Sequence, residues 1–393
     1  MNERSFARKG CQQMETGGPG GTTWGESAMS TEVKTTTSIP VHLSPNGTPM
    51  ERGLEFGRCQ ARRVARTIEA YRWLFQEVYL LSLDEIRSMG HDVAVQLSRR
   101  WPHFSEEIEG IARGSGQSME ELCAINARTE ILAGRQWPEC SVVAIVPQIA
   151  EEPVLLGQNW DWYSASRDSL VAWKVYTGGH EWFMTITEAG ILAKFGFNSH
   201  GVGCCLNMLE TTADGGPSKV PVHLLLRLVL EKCRSVSDAA ATLTSQCTSA
   251  SSAITVAQDG PNREAVCYEL SPGGAKALKA DSRGVLLHTN HFLSPPLSGP
   301  DTALESQGSR ERLRELAAWS SAVTSPVGLE DLKSVFRSHH CSPMGICKHP
   351  GPARTEEDQI ETLASVLMDL SARRMLVADG LPCETEYQEV KPE

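Results

Sequence analysis

Between Cys140 and Leu209 the chain passes through six short apolar stretches, at 142–146, 154–158, 170–176, 182–187, 192–198 and 202–209, separated by Pro, Gly, Asn or Ser turns. Their length and β-branched or aromatic content mark strands, and links this short join sequence neighbours as antiparallel pairs. Ahead of Cys140 the pattern is helical. Val64, Ile68, Tyr71, Phe75 and Val78 recur at spacings of four and three, one face of a helix. Further helices are expected near 84–100 and 102–113, and from Ser118, where Glu121 three residues on suggests a capping box.

After the strand run, helical patterns cover 222–233 and 237–246, strands return at 253–257, 265–270 and 285–289, and helices follow at 309–319 and 329–337. A last strand pair near 363–370 and 374–378 closes the pattern. Strands and helices segregated in this way predict an α+β fold in which two antiparallel sheets, covered by helices, form a four-layer α/β/β/α sandwich. The 393-residue chain shows no internal repeat and no convincing linker within its body. Residues 1–38 lack an apolar period and read as a disordered tail. Their glycine cluster at 17–21 lacks the Gly-Lys-Ser/Thr ending of a phosphate loop.

Charge and composition narrow the partners. Lys and Arg number 37 against 48 Asp and Glu, a net charge of −11, with no basic block to gather phosphates, so neither nucleic acid nor an anionic membrane is expected. No apolar run approaches the ~18 residues of a spanning helix, and no secretory segment is recognised, so a cytoplasmic setting is expected. The 12 cysteines are scattered, several in apolar runs, and read mostly as reduced core thiols.

Cys140 heads the first strand after Trp137-Pro138-Glu139, and Gly157-Gln158-Asn159-Trp160-Asp161 ends the next. A thiol makes a strong nucleophile when a base takes its proton. If the Glu139–Cys140 bond were cut, the new α-amino group, with a pKa near ~8, would be such a base within the same residue. Several motifs then appear in order: Trp101-Pro102 with Glu106-Glu107-Ile108 and Gly110-Ile111-Ala112; Leu122 with Asn126 and Arg128-Thr129-Glu130; the Gly157–Asp161 motif; Thr187-Glu188-Ala189-Gly190; Gly196-Phe197-Asn198 with Gly201-Val202; and His288-Thr289-Asn290-His291.

Together these motifs resemble the acyl-coenzyme A:6-aminopenicillanate acyltransferase family, peptidase family C45, which also contains insect β-alanyl-dopamine hydrolase. The similarity runs from about residue 41 to about 382. The resemblance implies an N-terminal nucleophile (Ntn) hydrolase that cuts itself between Glu139 and Cys140. Residues 39–139 would become an α chain and 140–393 a β chain, associated in one domain. Cys140 would first attack the Glu139 carbonyl and later the acyl group of a small N-acyl amine, N-acyl amino acid or acyl-CoA, through a thioester. By the same resemblance Asp161 would orient the α-amino group, Asn290 would donate to the oxyanion, and Ser271 would assist processing. Asn159, Trp160 and His288 are the expected substrate contacts, and hydrolysis the expected fate of the thioester. No cofactor is implied.

The chain departs from the family pattern at Glu139, where the family has Gly, and at Ser141-Val142, where it has Thr-Thr or Thr-Ser. The arginine that precedes the late Thr-Leu in the penicillin enzyme is also missing. Gln359-Ile360-Glu361 stands there, with Arg354 upstream, so recognition by that arginine does not transfer. These departures motivate the alternative of an uncut, inactive binding module. His339-His340-Cys341, Cys347 and His349 invite a zinc reading, but Cys-x5-Cys-x-His is not a standard spacing, and no metal is expected. Glu106, Glu107 and Arg113 read as solvated faces. Trp160, Trp162, Tyr163 and Trp182 suit either a pocket lining or plain core.

Overall fold

A computed structural model describes residues 39–133, 140–215, 219–302, 307–340, 342–351 and 359–391. The expected tail at 1–38, the Trp137-Pro138-Glu139 approach to Cys140, Cys341 and Arg354 all lie outside these residues.

The larger sheet orders β1 (Val41–Leu43), β4 (Leu170–Gly178), β5 (Glu181–Glu188), β6 (Phe195–Asn198), β7 (Val202–Met208), β8 (Ser252–Gln258), β9 (Glu264–Ser271) and β10 (Gly274–Lys279). The smaller orders β11 (Val285–His288), β2 (Cys140–Ile145), β3 (Leu155–Tyr163), β12 (Ile360–Asp369), β13 (Arg374–Asp379) and β14 (Gln388–Glu389). Every neighbouring pair is antiparallel except β1 with β4, which corrects the expectation of two purely antiparallel sheets. The six consecutive strands do not share one sheet. A 3₁₀ segment, Ser164–Ser169, carries the chain from β3 in one sheet to β4 in the other, where a two-residue turn would have kept them paired.

The sheets pack through β2 and β3 against β7. Helices α7 (Val222–Lys232) and α8 (Val236–Thr244) cover the larger sheet, and α9 (Gln307–Ala322) and α10 (Leu329–Phe336) the smaller, giving the four layers. The two-residue period of a strand sorts side chains between them. Along β2, Cys140, Val142 and Ala144 enter the core between the sheets, while Val143 and Ile145 join Leu316, Leu332 and Phe336 in the outer core under α9 and α10.

The helices before Cys140 are α1 (Pro49–Cys59), α2 (Ala61–Trp73, continued as a π turn to Val78), α3 (Leu83–Arg100), α4 (Pro102–Ser115), α5 (Met119–Asn126) and α6 (Arg128–Ile131). Helix α1 starts at a Thr48/Glu51 capping box. It crosses α4 so closely that a Cβ on Gly53 would stand 2.1 Å from the Glu107 carbonyl oxygen. Glu107 is not a solvated charge as expected. It is fully buried, and accepts from Arg227 at 2.8 and 3.1 Å and from Arg52 at 3.0 Å. Ser118 caps α5, but the Glu121 side chain is buried against Arg72 instead of closing the box. The ten described cysteines are all free, Cys204 and Cys205 among those buried. Among the described residues no helix is long and apolar enough to cross a membrane.

Candidate active site

Cys140 opens β2 opposite Trp160 of β3, with its side chain on the face between the sheets. Its two backbone groups are held by side chains from three other elements. The N–H donates to Asn290 Oδ1 at 2.6 Å, and the carbonyl oxygen accepts from Arg312 Nη1 at 2.6 Å and Asn207 Nδ2 at 3.1 Å. Arg312, buried on α9, also reaches Ser141 Oγ at 2.9 Å and Asn290 Oδ1 at 3.1 Å. Two donors therefore fix the oxygen end of the Asn290 amide toward Cys140. Its nitrogen end donates to the Met208 carbonyl at 3.1 Å. In this state Asn290 receives the Cys140 N–H, while Arg312 and Asn207 are the donors that meet the Cys140 carbonyl oxygen.

The thiol faces a cavity of about 10 Å³, room for roughly one water. Trp160, Trp162, Leu206 and Met208 supply its apolar walls, and Lys194 and Arg128 its charge. Burial pushes the Cys140 thiol up to about 12, with the Asp161 carboxylate adding to the rise; the Asp161 N–H, Arg312 and Lys194 oppose it without cancelling it. At neutral pH the thiol is protonated, so reaction requires a base. Lys194 Nζ lies 2.6 Å from Glu188 Oε2 and 3.3 Å from the centre of the Trp160 ring. Burial lowers its pKa to about 7 against the attraction of Glu188, with the charge of Arg128 pushing the same way. Glu188 also accepts from the Tyr71 hydroxyl at 2.6 Å, and Arg128 stacks 4.4 Å over Trp162.

The other face of β3 has a different role. Gly157 faces α10, where a Cβ would stand 2.6 Å from Phe336 Cε2, so only glycine lets the helix approach so closely. Asn159 donates to the carbonyls of Phe336 and Ile346, both at 2.9 Å. Asp161 Oδ1 accepts from Thr362 Oγ1 at 2.6 Å, and that hydroxyl accepts from the Lys348 N–H at 2.9 Å. The loop after α10 thus braces the Asp161 carboxylate, while the Asp161 N–H is directed at the Cys140 thiol.

The expected site residues accordingly separate. Cys140 and Trp160 line the cavity, and Asn290 and the backbone of Asp161 bond to Cys140, whereas Asn159 is engaged on the outer face. Ser271 closes β9 and donates to Gly274 at 3.4 Å; among the described residues no bond joins it to Cys140. His288 lies 3.1 Å from Glu269 and ties β11 to β9. Burial opposes its charge, but the side chains of Cys267 and Glu269 outweigh this and raise its pKa to about 10. Glu269 also accepts from the N–H groups of Leu293 at 2.5 Å and Ser294 at 3.1 Å, so the pair anchors the loop after Asn290.

Sequence reasoning passed over Arg312, Asn207 and Lys194. Arg312 sits in a helical run crowded with charges and carries no local signal. Lys194, inside Ile191-Leu192-Ala193-Lys194-Phe195, is a lone charge in an apolar run, a signal that was available.

Residues 149–381 match the model of the family described as acyl-coenzyme A:6-aminopenicillanic acid acyl-transferase. The chain is 28% identical over 345 residues to the 40 kDa form of acyl-coenzyme A:6-aminopenicillanic-acid-acyltransferase of Emericella nidulans, covering 87% of this chain and 93% of that one. Among solved structures, a Caenorhabditis elegans N-acylethanolamine-hydrolyzing acid amidase ortholog aligns with a TM-score of 0.41 at 14% identity, over 59% of this chain and 93% of that one. A mutant form of the conjugated bile acid hydrolase of Clostridium perfringens aligns with a TM-score of 0.40 at 13% identity, over 64% and 97%. Scores this low carry no inference of their own.

Proposed function

The chain belongs to the acyl-coenzyme A:6-aminopenicillanic acid acyl-transferase family, and from that premise we propose that it is a self-processing cysteine amidohydrolase or acyltransferase whose nucleophile is Cys140. Membership makes it an acyl-transferring or acyl-hydrolysing enzyme; the thioester, the self-cleavage and the substrates are our reading. One observation carries it. Cys140 heads a strand with its N–H and carbonyl both held by side chains from other elements, while its thiol opens on a cavity.

In the uncut chain the Cys140 sulfur attacks the carbonyl carbon of Glu139, and the thiol proton passes to the departing amide nitrogen of Cys140. The result is a thioester and a free amine. Water then opens the thioester, leaving a carboxylate on Glu139 and restoring the thiol. The new α-amino group keeps its contact with Asn290 Oδ1. With a pKa near ~8 it is an effective base for the adjacent thiol. In turnover the sulfur attacks the carbonyl of a small N-acyl amine or N-acyl amino acid, the amine leaves with the proton, and water or a second amine takes the acyl group.

After scission the two segments remain associated. Arg227 and Glu107, Tyr71 and Glu188, Asn126 with the backbone of Gly190 and Leu192, and the β1–β4 ladder all cross the cut.

Intact mass and active-site labelling test this reading. We expect two fragments, one beginning at Cys140, and a stoichiometric acyl-enzyme burst with activated acyl esters, both lost in Cys140→Ala. A persistently uncut chain without a burst would sink the proposal in favour of an inactive binding module.

A further inference from the structure

On the far side of the smaller sheet, four ligand-type side chains converge from two separate segments. His339, Cys347 and His349 come from the loop after α10, and Cys383 from the chain beyond β13. Their donor atoms all lie within 4.8 Å of one another. His339 Nε2 is 3.1 Å from His349 Nε2, His349 Nε2 is 3.2 Å from Cys383 Sγ, and the two sulfurs are 3.5 Å apart.

We propose that these four residues form a structural zinc site of the Cys2His2 type. Tetrahedral zinc, with bonds of about 2.3 Å to sulfur and about 2.0 Å to nitrogen, spaces its ligand atoms by about 3.3 Å (N to N), about 3.5 Å (N to S) and about 3.8 Å (S to S). The three observed separations approach that set in the same order. A disulfide explains the cluster less well, since the sulfurs are well outside a bond of about 2.05 Å and two imidazole nitrogens face the same point. Zinc would displace one proton from each thiol, and two thiolates with two neutral imidazoles make the bound site neutral. That suits a position where Cys347 is buried and both histidines stay open to solvent for metal entry. All four positions are filled by protein, so the site is structural and not catalytic. The other ring nitrogen of His349, Nδ1, lies 3.9 Å from Glu384 Oε1, within ion-pair range and beyond hydrogen-bond length.

The site would also brace the candidate active site. Ile346 and Lys348 flank Cys347; the first accepts from Asn159, and the second binds Thr362, the hydrogen-bond donor to Asp161. A metal holding this loop to the C-terminal segment fixes the outer support of β3. Cys383, 36 residues beyond Cys347, is the ligand that no spacing rule brings in.

Full-length protein, purified under reducing conditions and incubated with Zn(II), should retain about one zinc per chain by elemental analysis. Zinc loading should release two protons and raise the thermal midpoint. Co(II) in place of zinc should give tetrahedral visible bands and thiolate charge-transfer absorption. His349→Ala and Cys383→Ser, at exposed and half-buried positions, should fold as judged by circular dichroism and lose stoichiometric metal. The proposal is overturned if folded wild-type protein binds no stoichiometric zinc, if either variant binds it as tightly as wild type, or if the two thiols are found as a disulfide that survives in the metal-loading buffer. None of these readouts depends on acyl transfer, so this test can fail while the proposed enzyme activity stands.

Discussion

The two faces of the smaller sheet carry different work on adjacent residues. Toward the larger sheet, Cys140, Trp160 and Trp162 enclose a narrow cavity with a partly neutralised cation, Lys194, at its wall. Toward α9 and α10, Ser141, Asn159 and Asp161 are bound by Arg312, by carbonyls of Phe336 and Ile346, and by Thr362. A motif such as Gly157–Asp161 therefore reads as one unit in sequence but divides in space. The inner residues line the cavity, and the outer ones tie the strand to the layer behind it. Arg312 belongs to both sides, since it comes from the outer layer and ends on the Cys140 carbonyl.

Breaking that link should have the largest effect. Arg312→Met removes a charged donor from the Cys140 carbonyl and from Asn290 while keeping the volume filled. Self-cleavage followed by intact mass should slow by about 10²-fold, the upper scale of losing a buried charge-assisted hydrogen bond that positions Cys140. An unchanged rate would reduce Arg312 to a packing residue.

Thr362→Val asks whether the outer face only supports. It removes one hydrogen bond to the Asp161 carboxylate with little change of shape, a loss of about 1.5 kcal/mol or roughly tenfold in rate. Acylation by an activated ester should slow by that factor, with a modest fall in the thermal midpoint because the Lys348 N–H also loses its acceptor. Normal acylation in the folded variant would make the face purely structural.

The smallest effect should be confined to low pH. Lys194, with its pKa lowered to about 7, is charged below that pH and then favours the Cys140 thiolate. In Lys194→Met, thiol alkylation should be several-fold slower than wild type below about pH 7, and the gap should close as pH rises and Lys194 loses its proton. The stability signature has a matching sign. Because the folded-state pKa lies below the unfolded one, wild-type stability falls as pH drops from about 10.4 toward about 7, where the unfolded chain binds the extra proton. The variant should lack that slope, as urea unfolding across the window would show.

Much of the architecture was legible in the sequence because its signals are local. The short β-branched runs from Val142 onward, bounded by turn residues, and the four-three spacing from Val64 to Val78 depend only on residues close together along the chain. What failed depended on partners distant along the chain or on a change of sheet. Glu107 looked solvated because its partner Arg227 lies 120 residues away. The six-strand run gave no sign of where it changes sheet, since six residues of 3₁₀ helix read as an ordinary turn.

By itself the sequence determined the order and type of most elements, the position of a cysteine at the junction between helices and strands, and the family to which the chain belongs. Only the tertiary structure decided which face each motif residue takes, that Arg312 meets a carbonyl 172 residues away, and that Cys383 joins His339, Cys347 and His349. Periodicity is a property of neighbours along the chain. Which distant side chains meet depends on how two sheets and their helices stack, and no spacing along the chain encodes that.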